Sequence, residues 1–284
     1  MLIVYLHLLF MSIDHGFADL TIKNEDETVA IIHHEDYRLP HIHSLFMNEK
    51  RLNQLLDHLE EVTFQEPIQA KIDEEGDIVE GVPGSALRRE DMVRLLLKYF
   101  YEGNSQPIDI PKRAVYPRVT SELLAEIYDK KIATYQTRFQ EEYEARAKNI
   151  GLSVAAINNQ IIFPNETFSF NDIVGERTVE RGYMRAPVII KGELSTDIGG
   201  GICQVSSTLF NAVNMNGIEM IERYSHSRSV PYVPPGKDAA VSWWGPDLVF
   251  RNKYNQPLLI RASSTSGQVI IDVYTAADVD YKRD

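Results

Sequence analysis

The sequence predicts a mixed α+β fold of two parts. The first is an N-terminal small α+β domain with a helical connector. The second is a C-terminal mixed α+β domain whose central helix starts at a GGGICQ motif and packs on an antiparallel sheet. Two observations carry this prediction: apolar residues recur at helical spacing in some segments, and alternating β-branched runs lie between turn signals in others. A length of 284 residues with 44% hydrophobic residues suits one large or two ordinary globular domains.

The first half alternates helices with short strands. Four leucines at i, i+3, i+4 and i+7 predict a helix over 48–61, and a broad apolar face predicts a second helix over 89–102, stopped by Gly103. The remaining segments are predicted from alternation and proline spacing: a strand at 67–73, a turn at 74–77, a strand from 78, and extended chain at 107–117. The charged run 120–149 has no Gly or Pro, so we expect one long helix or two shorter ones there.

The second half is richer in glycine, aromatic and β-branched residues. A helix is predicted to begin close to Cys203, with Gly217 as its C-terminal stop. Short strands are predicted at 186–190, 218–223, 239–244, 247–252, 257–263 and 268–275. Residues 264–267 should close the last hairpin, in which Val269, Ile271 and Val273 share one face.

Composition excludes several classes of protein. One cysteine cannot form a disulfide within the chain, nor can it build a cysteine-rich zinc site. The net charge of -12 argues against nucleic acid and against anionic membrane surfaces as partners. The first 150 residues hold 17 basic and 27 acidic side chains, against 12 and 14 in the rest, so the acidity belongs to the first half.

The apolar start, residues 1–11, is too short to span a bilayer, which needs about 20 residues. It also lacks the basic region and cleavage site of a signal peptide. We interpret it as a buried strand or a truncated export signal, with preference for the strand. No transmembrane segment is evident elsewhere in the sequence.

The strongest chemical signal is the run GGGICQ at 199–204. Glycines let the backbone turn tightly and approach a ligand, and a cysteine at a helix start feels unpaired N–H groups and the positive end of the dipole. Both effects favour the thiolate form, which is the nucleophile in cysteine catalysis. Cys203 is therefore the candidate nucleophile, and the N–H of Cys203 or Gln204 is the candidate oxyanion donor.

A cysteine nucleophile needs a histidine to take its proton and a third group to orient the imidazole. His226 is the single histidine of the second half, and Asp238 follows it, with Asp247 as the alternative orienting group. The order along the chain, which is Cys, helix, strand, His, strand and Asp, is similar to that of transglutaminase-like and papain-like enzymes. Ser206 and Ser207 are weaker candidates, because serines inside a helix more often bond to the backbone.

Two other clusters of residues give weaker evidence for a functional site. The segment 33–43 is rich in histidine, but its spacing matches no metal site and Pro40 interrupts any helix there, so we predict no metal and no cofactor. Trp243 and Trp244 suggest a stacking platform for sugars or peptide. Neighbouring residues on a strand point to opposite faces, so at most one of the two should face a given ligand.

A series of ordered motifs gives the second half a resemblance to a known family. They include FPNETFSFN at 163–171, VG at 174–175, GY at 182–183, GGGICQVSSTLFNA at 199–212, ER at 222–223, HS at 226–227, YVPPGKDA at 232–239 and DLVFRN at 247–252. Together they resemble the VanW domain over about residues 150–276. Residues 67–150, with Arg146 to Ile150 at their end, are more loosely similar to the peptidoglycan-binding-like domain that often precedes VanW.

The resemblance implies a division into an N-terminal extension (1–60), a peptidoglycan-binding-like domain with helical connector (61–150), a VanW-like domain (151–276) and a tail (277–284). It implies a bacterial cell-envelope protein that acts on or binds peptidoglycan or its precursors and is linked to glycopeptide resistance against vancomycin. Location in the cell envelope is expected from the family, although the chain shows no convincing signal peptide, so a cytoplasmic location stays open.

Two functions are compatible with these residues. The first is a Cys-dependent acyl-transfer enzyme of the amidase or transpeptidase type, with Cys203, His226 and Asp238 as catalytic residues. In that enzyme the oxyanion or substrate would be bound by Gly200, Gly201, Gln204, Arg223 and Tyr232. The second is a non-catalytic peptidoglycan-binding accessory protein in which GGGICQ is a structural turn.

Overall fold

A computed structural model describes residues 18–39, 46–190 and 193–280. The apolar start at 1–11 lies outside the described residues, as do His41 and His43 of the histidine-rich segment. No helix in the described part of the chain is long and apolar enough to cross a membrane.

The described residues form short strands and helices in alternation, as the sequence predicts for a mixed α+β fold. The strands are β1 Leu20–Asn24, β2 Glu27–Ile32, β3 Lys71–Ile72, β4 Ile78–Val79, β5 Gly84–Leu87, β6 Ile108–Asp109, β7 Lys112–Val115, β8 Lys130–Arg138, β9 Gln160–Ile162, β10 Thr167–Ser169, β11 Arg185–Ile190, β12 Glu193–Ile198, β13 Ile218–Glu222, β14 Val249–Asn252, β15 Leu258–Thr265 and β16 Gln268–Thr275. The helices are α1 Glu49–Thr63, α2 Arg89–Glu102, α3 Ser121–Ile127, α4 Glu144–Ile157, α5 Phe170–Val174 and α6 Ile202–Val213, with a 3-10 turn at His34–Tyr37.

The chain divides into two compact units, one of Met1–Gln69 with Gly81–Arg118 and the other of Ala70–Glu80 with Val119–Asp284. The first unit contains a three-stranded sheet in the order β2-β1-β6 and the antiparallel pair β5-β7. Helices α1 and α2 bury the apolar faces predicted for them, and α2 ends at Gly103 in the left-handed conformation, with φ 72°. In the same unit, His33 contacts Asp19 at 2.8 Å, and buried His34 contacts the Phe100 carbonyl at 2.9 Å.

The second unit is built on a four-stranded antiparallel sheet in the order β8-β16-β15-β9. Val269, Ile271 and Val273 of β16 are fully buried on one face, as their alternation predicts. Ser266 and Gly267 form the tight turn before β16 with φ of 52° and 67°. Helix α6 packs on β8 and β16, and helix α4 packs on β15 and on α6, so α6 lies at the centre of this unit's core.

A second sheet, β10-β14-β13, and the separate antiparallel pairs β11-β12 and β3-β4 also belong to the second unit. Two predictions fail here. The connector predicted as helical over 120–149 contains strand β8 between α3 and α4, because β8 pairs along its whole length with β16. The strand predicted at 239–244 is irregular chain with one bridge at Ala240, because the chain turns at Gly245 and Pro246, where Ser242 N–H donates to the Pro246 carbonyl at 2.8 Å.

Candidate functional site

Three consecutive glycines place the start of α6. Gly199 and Gly201 have φ of 86° and 111°, a region that residues with a Cβ rarely adopt. Gly200 is needed for space, because a Cβ there would lie 2.5 Å from the Ala186 carbonyl oxygen. Asn149 of α4 holds the turn by donating to the Gly200 carbonyl at 3.0 Å. The glycine run is therefore a fixed turn clamped between α4 and β11.

Cys203 is the second residue of α6 and is partly exposed. Its sulfur lies 3.3 Å from the Val241 carbonyl oxygen. Ser206 and Ser207 donate their hydroxyls to the Cys203 carbonyl at 3.1 and 2.6 Å, which confirms that these serines bond to the backbone. The helix predicted to begin close to Cys203 is also confirmed.

The Cys203 N–H is an open donor at this turn. Gln204 N–H donates to the Gly201 carbonyl at 3.0 Å, whereas no hydrogen bond among the described residues uses the N–H of Cys203. Of the two predicted oxyanion donors, only the N–H of Cys203 is therefore unoccupied.

His226 and Asp238 form a buried pair. His226 Nδ1 lies 2.7 Å from an Asp238 carboxylate oxygen, and His226 N–H donates to the same oxygen at 2.6 Å. The two side chains are only 8% and 9% exposed. An ionised carboxylate only accepts hydrogen bonds, so Nδ1 carries the proton and Nε2 is left for another partner.

Cys203 lines the same cavity as His226 and interacts with its imidazole. Burial alone would lower the pKa of His226, but its hydrogen bond and charge interaction with Cys203, and then those with Asp238, outweigh burial and raise the pKa. Burial would raise the pKa of Asp238, but the hydrogen bonds from His226 outweigh it and lower that pKa. Cys203, His226 and Asp238 are therefore neighbours at one site.

Asp247 lies elsewhere. Its carboxylate accepts hydrogen bonds from the Ser169 hydroxyl at 2.6 Å and from Asn171 N–H at 2.9 Å. These contacts tie the start of α5 to β14, and the carboxylate is buried by them. Asp238, and not Asp247, is the carboxylate on His226.

Arg223 and Gln204 hold other site residues in place. Arg223 donates to the Asp238 carboxylate at 3.3 Å and to its backbone carbonyl at 2.7 Å, and its guanidinium lies over the Phe210 ring. The Gln204 amide donates to Thr137 Oγ1 at 2.9 Å and accepts from Arg146 at 2.7 Å. Both side chains are thus occupied by protein partners.

A cavity of about 680 Å³ opens beside the Cys203 sulfur. It is lined by Gly201, Cys203, Gln204, His226 and Tyr232 of the predicted site, by Arg146 and Arg177, by hairpin β11-β12 and by the loops 230–232 and 241–244. Burial and the charge of Cys203 raise the pKa of Tyr232, which is therefore a neutral hydroxyl at neutral pH.

Both tryptophans line this cavity, so the prediction that at most one would face a ligand is wrong. The segment is a turn rather than a strand, and the two rings lie 6.0 Å apart at 70°. Trp244 is 88% exposed, whereas the indole N–H of Trp243 is buried without a hydrogen-bond partner among the described residues.

Sequence reasoning missed the roles of Arg146, Asn149 and Arg177. A signal for the first two exists: Arg146, Asn149, Ile150 and Ser153 recur at helical spacing, which predicts that both polar residues lie on the buried face of α4. Arg177 follows α5 in irregular chain, where no periodicity indicates the direction of a side chain.

The family model described as "VanW like protein" matches residues 145–274, and every cavity residue lies inside that range. The protein YoaR of Bacillus subtilis (strain 168), whose function is uncharacterized, is 46% identical over 257 residues, which is 90% of this chain and 85% of YoaR. The chain belongs to the VanW family.

The vancomycin B-type resistance protein VanW of Enterococcus faecalis (strain ATCC 700802 / V583) is 32% identical over 124 residues, or 42% of this chain and 45% of that protein. No solved structure matches the chain. The VanW-like domain therefore contains Cys203, His226 and Asp238, and the recognition made from the ordered motifs is confirmed. The peptidoglycan-binding-like assignment of residues 61–150 stays a prediction.

Proposed function

We propose that the VanW-like domain is a cysteine-dependent acyl-transfer enzyme, of the amidase or transpeptidase type, that acts on amide bonds of peptidoglycan or its precursors. One observation carries the proposal: Cys203 and His226 line one cavity of about 680 Å³, Cys203 interacts with the imidazole, and His226 contacts Asp238. A nucleophile, a base and an orienting group in contact are the signature of covalent acyl transfer.

The protonation states follow from the contacts. Asp238 holds the proton on His226 Nδ1 at 2.7 Å, so Nε2 is the basic nitrogen that takes the thiol proton. The raised pKa of His226 favours the imidazolium that forms by this transfer. The start of α6 and the guanidiniums of Arg146 and Arg177 supply positive charge to the cavity that holds the thiolate left behind.

The reaction has two steps. The Cys203 thiolate attacks the carbonyl carbon of an amide; a C–S bond forms, the C–N bond breaks, and His226 gives its proton to the leaving amine. In the second step, water or an acceptor amine attacks the thioester, giving hydrolysis or transfer respectively, and His226 takes the proton of the attacking group. The Cys203 sulfur leaves as thiolate, so the starting state is restored.

The oxyanion of each step needs donors that exist before the reaction. Because Gln204 N–H is occupied by the Gly201 carbonyl, we assign this role to the N–H of Cys203. Gly200 and Gly201 serve by shaping the turn that aims this N–H, and Gly201 also lines the cavity.

The choice of substrate is supported by kinship. The Enterococcus faecalis relative is named a vancomycin B-type resistance protein, and the VanW resemblance implies peptidoglycan or its precursors. These are therefore the proposed substrates, and the cell envelope is the proposed location. Trp244 lines the cavity and is exposed, so it offers an aromatic face for stacking against a sugar or peptide ligand.

The test is incubation of the purified protein with muropeptides and with intact peptidoglycan, followed by mass spectrometry of the products. We expect product with the wild type and with His58→Asn, a control for histidine loss on the exposed face of α1. Cys203→Ala and His226→Asn should give none. Saturable binding of peptidoglycan that survives Cys203→Ala, with no product from the wild type, would favour the non-catalytic binding protein instead.

A further inference from the structure

Arg177 places an uncompensated cation in the wall of the cavity. Both terminal nitrogens of its guanidinium are buried, and neither has a hydrogen-bond partner among the residues that the structure describes. Burial lowers the pKa of Arg177, but an arginine stays protonated in proteins, so the charge persists. A buried donor without a partner is costly and calls for an explanation.

A second guanidinium lies in the same wall. Arg146 donates to the Gln204 amide oxygen at 2.7 Å, which is a neutral partner, and burial lowers its pKa as well. The ion pairs of the described residues include neither Arg146 nor Arg177. Both guanidiniums line the same cavity as Cys203 and interact electrostatically with it, so they place positive charge at this site.

The acidic residues nearby do not neutralise this charge. Glu176 and Asp197 line the cavity but are exposed, and neither makes an ion pair with a guanidinium in the described chain. The charge of Asp247 interacts with Arg177, but the Asp247 carboxylate accepts its hydrogen bonds from Ser169 and Asn171.

Packing explains only part of Arg177. Its guanidinium lies over the Phe170 ring at 5.8 Å, and its stem packs against Gly199. Those contacts use the face of the guanidinium and the methylenes, and they leave the N–H edge without an acceptor. A carboxylate is the acceptor that fits this planar edge with two parallel hydrogen bonds.

We propose that the acyl donor carries a free carboxylate close to the carbonyl that Cys203 attacks, and that Arg177, assisted by Arg146, binds this carboxylate. The proposal rests on the proposed function, because it names the substrate class of the same site. Acyl donors with an amide or a cation at that position are then poor ligands, since they leave the guanidinium edge unpaired.

Two small alkylating agents test the carboxylate separately from catalysis. Iodoacetate and iodoacetamide both transfer their methylene to the thiolate sulfur with loss of iodide, and differ only in carrying a carboxylate or an amide. Cys203 is the only cysteine, so mass spectrometry of the full chain reads its labelling directly. The measured quantity is the ratio of the two rate constants, in the native protein and in the same protein unfolded in urea.

We expect the native ratio to exceed the unfolded ratio at least about tenfold, the factor given by about 1.4 kcal/mol of preference. Arg177→Met keeps the stem and removes the charge, and should abolish most of the preference, whereas Arg177→Lys should retain part of it. Arg251→Met is the matched control, because it removes an arginine outside the cavity, and should leave the ratio unchanged.

A native ratio equal to the unfolded one, or a preference that Arg177→Met leaves intact, overturns the proposal. The native-to-unfolded comparison needs no variant, so it decides even if Arg177→Met does not fold. Slow labelling by both agents with the tenfold preference preserved would defeat the proposed catalysis and keep the carboxylate site. Fast labelling by both agents without a preference would be consistent with the proposed catalysis and would overturn the carboxylate site.

Discussion

Replacing Asp238 by asparagine tests the orienting role most directly. The carboxylate accepts from His226 Nδ1 at 2.7 Å, from His226 N–H at 2.6 Å and from Arg223 at 3.3 Å. Asparagine keeps one oxygen and turns the other into a donor, so one of these two neighbours must face an amide N–H. With one side already filled by Arg223, no flip of the amide satisfies both.

The stability cost follows from the charge on these bonds. A hydrogen bond to a charged group contributes about 1.5–3 kcal/mol, and the pair is 9% exposed or less, so solvent screening is small. We expect Asp238→Asn to lower the free energy of unfolding by about 3 kcal/mol. At about 2–4 °C per kcal/mol for a unit of this size, Tm should fall by about 6–12 °C.

The chemical consequence is read by the rate constant of Cys203 alkylation with iodoacetamide at neutral pH. In the proposed mechanism His226, held by Asp238, is the base for the Cys203 thiol. In Asp238→Asn the rate constant should fall at least about tenfold, the factor given by about 1.4 kcal/mol, because the imidazolium loses its carboxylate. Asp278→Asn, at an exposed aspartate outside the cavity, is the control. Equal rate constants for Asp238→Asn and the wild type would refute the reasoning.

Three further predictions concern stability. Gly200→Ala should lower the free energy of unfolding in urea by about 1–3 kcal/mol, because its Cβ would lie 2.5 Å from the Ala186 carbonyl. Gly151→Ala in α4, where the Cβ meets only the Ser264 hydroxyl at 3.8 Å, should instead raise it by up to about 1 kcal/mol, so equal signs for the two would contradict the steric argument. Gln204→Leu removes the acceptor of Arg146 and the donor to Thr137 and to the Arg138 carbonyl, and should cost about 2–4 kcal/mol in the same assay. A loss below about 0.5 kcal/mol would show that the network is dispensable. The raised pKa of His226 stabilises the folded state fully below the ordinary value of 6.5, and this stabilisation is lost as pH rises. The lowered pKa of Asp238 stabilises the folded state above 3.8, and this stabilisation is lost as pH falls. Urea unfolding across pH should therefore show a free energy of unfolding that falls above about pH 6.5, and His226→Asn should flatten that fall.

The sequence predicts much of the fold because periodicity reports burial. Helix α2 is predicted to the residue, because an apolar face runs from Met92 to Phe100 and Gly103 ends it. Strand β8 was missed because its charged residues lie on an exposed face and only Thr137 is fully buried, so its pattern resembles a solvated helix. Its conformation is set by pairing with β16, which lies over 130 residues away in the chain.

The site was predictable in type more than in geometry. A cysteine after three glycines and a single downstream histidine indicate Cys203 and His226, but two aspartates followed, and only tertiary packing places Asp238 on the imidazole. The guanidinium of Arg177 is beyond any local pattern, because its position depends on irregular chain after α5.

Helix α6 is buried along almost its whole length, and its Ser206, Ser207 and Thr208 hydroxyls are consumed by carbonyls of the core. Cys203 thus stands on a firmly held helix, whereas other walls of the cavity are the hairpin β11-β12 and the loops around Tyr232 and Trp244. Changes in those walls can alter the ligand without touching Cys203. We therefore expect VanW relatives with different ligand specificity to differ mainly in the hairpin β11-β12 and in these loops, and to share the glycine turn and α6.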